Sequence, residues 1–255
     1  MARMPAALRH PAGARALVIL ALFGIWEVAA RWFVDPSFMS PPSRVVAFMD
    51  ELFATPGVSQ ALFTTFLELA AAFALSVAVG LAVGLLVGLH DFSRRSLLPI
   101  VLLLYATPQV TILPLFILYF GIGPASKIAF GMSHGMFPII VTVAAGVQNI
   151  KPILLLSARS MGASPRQVLR WVIFPHMIPS FFTGMRLAMT AALLGVLLAE
   201  LYVSSTGVGY FTHLFADSFE PAKLFGLITV LALMAIVLNE TVRRAEVRFG
   251  HWQST

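Results

Sequence analysis

Apolar positions in this chain neither alternate nor fall into narrow stripes; they run on. Stretches near residues 16–34, 62–89, 97–120, 126–147, 181–203 and 222–240 are each long enough to cross a hydrocarbon core, which takes roughly 20 helical residues. A segment in lipid must satisfy its own backbone, so each stretch is predicted as an α-helix. The fold class is therefore an all-α membrane protein with six transmembrane helices. One shorter pattern stands apart. After Pro41-Pro42, the residues Val45, Val46, Phe48, Met49, Leu52 and Phe53 recur at helical spacing while Asp50 and Glu51 take the other face. That pattern predicts a short helix lying on the membrane interface.

Composition agrees. Of 255 residues 59% are hydrophobic and 11% charged, against about 25% charged in an average soluble domain. Residues 1–255 read as a single transmembrane domain with no room for a second, soluble one. The net charge of +6 could point to nucleic acid, but the location of the bases decides otherwise. Arg3, Arg9 and Arg15, then Arg94 and Arg95, then Lys151, Arg159, Arg166, Arg170 and Arg186, then Arg243, Arg244 and Arg248 all flank apolar runs. This is the inside-positive signature of topology, and no nucleic-acid partner is expected. It places both termini and the loops at 90–96 and 149–180 in the cytoplasm. The opposite side receives 35–61, 121–125 and 204–221, with Asp35, Asp50, Glu51, Asp217 and Glu220 but only Arg44 among Lys and Arg. The first stretch resembles a signal peptide in its leading arginines and in Val28-Ala29-Ala30; Glu27 and the apolar continuation to Val34 favour a retained span. Cysteine is absent, which excludes disulfides and thiolate metal sites.

The segment 149–180, NIKPILLLSARSMGASPRQVLRWVIFPHMIPS, holds four bases and no acid. Pro152 can open one short helix and Gly162 can end it. Ser164 with Gln167 forms a capping-box pattern, with Pro165 at the first helical position of a second helix. Val168, Leu169, Val172 and Ile173 give that helix a packing stripe before Pro175. The segment is predicted to be an ordered platform of two short helices rather than a solvated loop.

Within the spans, Gly80, Gly84 and Gly88 share one helical face, as do Gly131 and Gly135; such faces admit close approach of another helix, within the chain or across a subunit interface. The third span contains Pro99, Pro108 and Pro114, with Tyr105, Thr107, Gln109 and Thr111 around the middle proline. A kink with polar groups suits either a solute cavity or a purely structural bend. Intramembrane ionisable groups are costly and often functional. Glu27 and Arg31, spaced i,i+4, are expected to neutralise each other. Glu68 and Glu200 lack sequence-local partners, and His134 lies mid-span beside Ser133. The candidate translocation path is thus Glu68, Tyr105, Thr107, Gln109, Thr111, Ser133, His134 and Glu200.

The run SARSMGASPRQVLRWVIFPHMIPSFFTGMRLAM resembles the cytoplasmic EAA loop of permease subunits of bacterial binding-protein-dependent ATP-binding-cassette importers. The matching positions are Ala158, Gly162, Ala163 and Ser164, then Ile173, Pro175, Ile178, Pro179 and Arg186. ILPLFILYFGIGPASKIAF and LLAELYVSSTGVGYF are similar to the nitrate/sulfonate/taurine branch, which also includes thiamine-precursor transporters. The likeness covers about residues 60–245. Leu156 stands where the family usually has its glutamate, with Ser157 next.

The resemblance implies a type I importer permease fold in the bacterial inner membrane, multi-pass. It implies as partners a second copy of the chain, two ATPase subunits and a periplasmic substrate-binding protein. Ser157, Ala158, Arg159, Met161, Gly162, Ala163 and Ser164 would then couple to the ATPase. No GxxxxGK[ST] phosphate loop occurs, so the chain is expected to bind no cofactor, with ATP and Mg on the partner. The implied substrate is a sulfonate-, nitrate- or taurine-like solute, or a pyrimidine-like thiamine precursor. Toward the outer side the chain offers Glu68 and Glu200 rather than bases, which leans toward the neutral or cationic precursor. A proton-coupled secondary transporter using Glu68, Glu200 and His134 is the alternative, though no second broken helix matches the third span. Intramembrane catalysis by Ser133 and His134 is disfavoured, because neighbours on a helix point about 100° apart.

Overall fold

Helix is the only regular structure among the described residues, 11–249, of the chain's computed structural model. Spans of sufficient length and apolarity are Gly13–Trp32, Val58–Leu89, Pro124–Gln148, Pro165–Val203 and Pro221–Arg248. A sixth is formed only if the bent pair Asp91–Ala106 and Gln109–Phe120 is counted as one. Arg3 and Arg9 of the amino-terminal basic cluster lie outside the described residues. The chain packs as two units.

The first unit holds the described chain up to Ser59 together with Phe211–Leu231. It contains α1 (Pro11–Trp32), α2 (Pro42–Ala47), α3 (Met49–Ala54) and the beginning of α12 (Pro221–Phe249). Most of α1 presents bare apolar side chains such as Leu20 and Ile25, as a lipid-facing span does. Glu27 and Arg31 do pair, at 2.5 Å, and the pair has a further task. The N-cap of α2, Pro41, offers no side-chain acceptor. The Glu27 carboxylate replaces it, accepting from the Ser43 N–H at 3.0 Å and the Ser43 hydroxyl at 2.7 Å. The expected single interface helix is instead two, broken at Phe48 (φ −94°, ψ 5°). Of its apolar stripe only Val45 and Leu52 are buried, while Val46 is 71% exposed. The two buried positions are seven residues apart, so one narrow face, and not the whole stripe, is covered.

The second unit holds Gln60–Tyr210 and the described chain from Ala232. It includes nearly all of α4 (Val58–Leu89), then α5 (Asp91–Ala106), α6 (Leu113–Phe120), α7 (Pro124–Gln148), α8 (Pro152–Ser160), α9 (Pro165–Val168) and α10 (Phe174–Val203). α7 and α10 form its central pair, and glycine makes the pairing possible. A Cβ added at Gly195 would sit 2.9 Å from the Gly131 Cα. The stripe Gly80, Gly84 and Gly88 on α4 faces Ile139, Val143 and Val147 of α7, where added Cβ atoms would lie 2.7–2.9 Å from those side chains. Both glycine faces are therefore used inside the chain. In lipid, where burial of apolar area drives nothing, such close contacts supply the attraction. Ile139, Val143, Met177 and Ala188 form the adjoining core.

Candidate functional site

The segment 149–180 folds through the capping signals it carries. Pro152 stands at the first position of α8. At the other end Gly162 takes φ +80°, the Gly162 N–H donates to Arg159 O at 2.9 Å and the Ala163 N–H to Ala158 O at 3.0 Å. This is the doubly bonded left-handed ending that glycine permits. Ser164 and Gln167 then complete a reciprocal capping box: the Gln167 N–H donates to Ser164 Oγ, and the Ser164 N–H to Gln167 Oε1 at 2.8 Å.

The second helix departs from expectation. It does not stop before Pro175. After α9 the backbone passes through a π turn, Leu169–Ile173, and continues into α10. Proline cannot donate to a carbonyl one turn back and its ring crowds that carbonyl, so a widened turn just ahead of Pro175 lets the helix run on. The span expected at 181–203 is consequently one 39-residue helical body, Pro165–Val203. The platform's second helix is thereby continuous with a membrane span, while α8 joins it through the Gly162 turn.

The platform exposes large apolar side chains among its basic ones. Met161 is 87% exposed and Trp171 69%; Leu156, at the position of the family's usual glutamate, is exposed as well. Ser157, Arg159 and Ser164 are exposed, while Ala158 and Ala163 are half-buried. Ala158, Met161, Gly162 and Ala163 line a shallow cavity of about 360 Å³ with Gln167 and Trp171.

The third span breaks instead of kinking, turning through 90° between α5 and the Gln109–Phe120 segment. Thr107 closes α5, its hydroxyl donating to Leu103 O at 2.9 Å. Pro108 has no N–H with which to continue. Its carbonyl instead accepts from the Thr111 hydroxyl at 2.7 Å, and Pro114 opens α6. Tyr105, Thr107 and Thr111 are exposed around this bend. Tyr105 stacks on Phe137 of α7 with centroids 5.8 Å apart, and the Ser133 hydroxyl lies 3.3 Å from Gln109 Oε1. His134 is half-buried; its Nδ1 approaches Phe130 O at 3.0 Å and its ring sits edge-on to Phe130. The structure thus brings Tyr105 and Gln109 to one face of α7, at Phe137 and Ser133, while the His134 ring packs against Phe130 and toward Gly195 of α10.

Glu68 and Glu200 lie elsewhere, in a closed polar cluster. Both are buried, together with Lys127 and Thr65. Lys127 Nζ lies 2.5 Å from Glu68 Oε1. Glu200 accepts from the Thr65 hydroxyl at 2.7 Å and from the Gly209 N–H at 2.8 Å, while Thr65 Oγ1 accepts from the Val208 N–H at 2.9 Å. A carboxylate and a hydroxyl from two other helices therefore cap α11 (Val208–Asp217) at its first N–H groups. Gly207, at φ +102°, leaves room for the Glu200 carboxylate, into which a Cβ there would run. Lys127 and Thr65 escaped the sequence reading. The available signal was charge balance: a lysine near the end of an apolar span, among spans carrying two unpartnered glutamates.

A long-helix membrane bundle, a capped basic platform fused to one span and a polar break in another together define a transport subunit. The chain belongs to the family of binding-protein-dependent transport system inner membrane components, whose sequence model matches residues 76–246. It is similar to the formylaminopyrimidine transport permease protein ThiX of Halalkalibacterium halodurans, 28% identical over 90% of this chain and 92% of that protein. It is equally similar to the taurine transport system permease protein TauC of Escherichia coli, 28% identical over 89% of this chain and 84% of the relative. Its fold matches a structure of inward-facing conformations of the MetNI methionine ABC transporter. There the TM-score is 0.67 at 17% identity, covering 75% of this chain and 95% of the other. The chain is the membrane-spanning permease subunit of an ABC importer, and ATP hydrolysis resides on a separate subunit.

Proposed function

We propose that two copies of this chain form the translocation pathway of an inner-membrane importer, served by a periplasmic binding protein and driven by two ATPase subunits. ATP and Mg are bound on those ATPase subunits. Residues 157–164 would dock into them, and the observation that carries this reading is the unbroken Pro165–Val203 body. Closure of the ATPase against Ala158, Met161, Gly162 and Ala163 would reach that membrane-crossing helix across one short turn, hydrogen-bonded at Gly162 and Ala163 and capped by Ser164 and Gln167. Alternating access then follows from rigid tilting of that helix.

The test uses Gly162. Its left-handed φ costs any other residue strain, but a Cβ there meets nothing within 4 Å, so bulk can be varied with the fold intact. Gly162→Ala incurs the backbone penalty alone, about 1 kcal/mol. Gly162→Trp adds a large side chain at the docking surface and is expected to abolish substrate-stimulated ATP hydrolysis in the reconstituted importer. Wild-type stimulation in the Trp variant would overturn the assignment. Uptake by the chain alone in liposomes would favour the proton-driven alternative.

The solute path is assigned to Tyr105, Thr107, Gln109, Thr111, Ser133 and His134, with Glu68 and Glu200 as supports behind it. With the glutamates committed to Lys127 and to α11, their charge no longer argues for a cationic solute. The remaining wall is neutral and hydrogen-bonding, which suits both a zwitterionic sulfonate such as taurine and a neutral aminopyrimidine. Calorimetry of the cognate binding protein with taurine and with formylaminopyrimidine separates the two.

A further inference from the structure

The platform carries a second cavity, of about 630 Å³, lined by Leu89, His90, Arg159, Arg166, Leu169 and Ile173. Three observations identify its ligand. Its charge is one-sided. Arg159 and Arg166 are exposed, and neither takes part in an ion pair or side-chain hydrogen bond recorded among the described residues. Residues 149–180 contain no acid, and Asp91, next to His90, is already paired with Arg94 at 2.8 Å. Its walls are apolar: Leu89, Leu169 and Ile173 sit beside the guanidinium groups. Its position borders an apolar span, because Leu89 is the last residue of Val58–Leu89. The cavity therefore lies at the end of an apolar span, on the side where the basic residues gather. A free anion would use the arginines but not the walls, and 630 Å³ is room for a drug-sized molecule rather than for a phosphate alone.

We propose that this cavity binds an anionic phospholipid of the cytoplasmic leaflet. Arg159 and Arg166 hold the headgroup phosphate, and Leu89, Leu169 and Ile173 receive the start of the acyl chains. The proposal rests on the importer reading only for the cytoplasmic placement of the platform. It gives the basic face of residues 149–180 a use beyond topology, because a bound lipid would fix the platform against the end of α4.

The test is lipid retention. The permease–ATPase complex is extracted from bilayers of equal phosphatidylglycerol and phosphatidylcholine, and its retained lipids are counted by native mass spectrometry. The wild type is expected to retain phosphatidylglycerol preferentially, and Arg159→Gln/Arg166→Gln to lose that preference about tenfold or more. Arg170→Gln, which removes an exposed arginine that does not line the cavity, is expected to keep it. Equal retention in the double variant, or no preference in the wild type, overturns the proposal. So does retention by the permease alone that disappears when the ATPase assembles, which would make an acidic face of the ATPase the occupant. Excess glycerol 3-phosphate is expected not to displace the lipid; displacement would reduce the site to a free-phosphate pocket and overturn the proposal too. Retention is measured without transport and on the permease alone as well as in the complex, so failure of the importer reading would leave the permease-alone readout in place.

Discussion

Lys127 shows how one residue alters the meaning of two others. Alone, Glu68 and Glu200 are buried acids in a membrane span, the pattern of a proton path. With Lys127 at 2.5 Å from Glu68, and with Glu200 capping α11, both are held by partners that a path would have to break. Removing one member of a buried pair strands the other. Lys127→Met should therefore cost about 3–5 kcal/mol, measured as a lowered unfolding midpoint in detergent, and Glu68→Gln/Lys127→Met should recover most of it. An unchanged midpoint in Lys127→Met would mean that the pair carries no structural weight. Gly207→Ala tests the other half of the cluster. At φ +102° with the carboxylate behind it, alanine is expected to destabilise the protein by more than the backbone strain alone, about 1 kcal/mol. An additional Glu200→Ala substitution should relieve the excess.

Among the elements, the platform and the broken span were legible to different degrees. Capping is local chemistry: Pro152, Gly162, Ser164 and Gln167 each act within a few residues, so their roles could be read from spacing. Ser164→Ala should lose about 1 kcal/mol of local helix stability, seen as faster amide exchange across Pro165–Val168 with the spans unaffected. Exchange unchanged there would show that tertiary contacts alone hold α9. The continuation through Pro175 was not legible. A proline after a packing stripe reads as a stop, and whether a π turn rescues the helix depends on what holds the segment on both sides. The same holds at Pro108, where the residues announce a bend but not one of 90°. For the α4 stripe, Gly84→Leu would drive a side chain into Val143. The expectation is misfolding of the permease itself, whereas a stripe reserved for a subunit interface would leave a folded monomer that fails to dimerise; gel filtration with thermal unfolding separates these outcomes.

On the scale of the whole molecule, orientation is the property that joins the readings. The chain lacks cysteine, so single cysteines can be placed and labelled without a background. Met161→Cys is expected to react with a membrane-impermeant maleimide only in inverted vesicles, and Ser37→Cys only in intact spheroplasts. The reverse pattern would turn the platform away from any ATPase and end the importer assignment for this loop.

Sequence by itself determined that the chain is helical and membrane-spanning, where the platform's first helix begins and ends, and where its second begins. These are consequences of solvent and of short-range bonding, and both act on runs of residues. Tertiary structure alone decided which glycine faces meet α7, that Glu27 caps a helix sixteen residues away, and that Glu68 and Glu200 are tied to Lys127 and to α11. Those choices depend on which distant groups come within hydrogen-bonding reach. Distance through space is not written in the order of the residues.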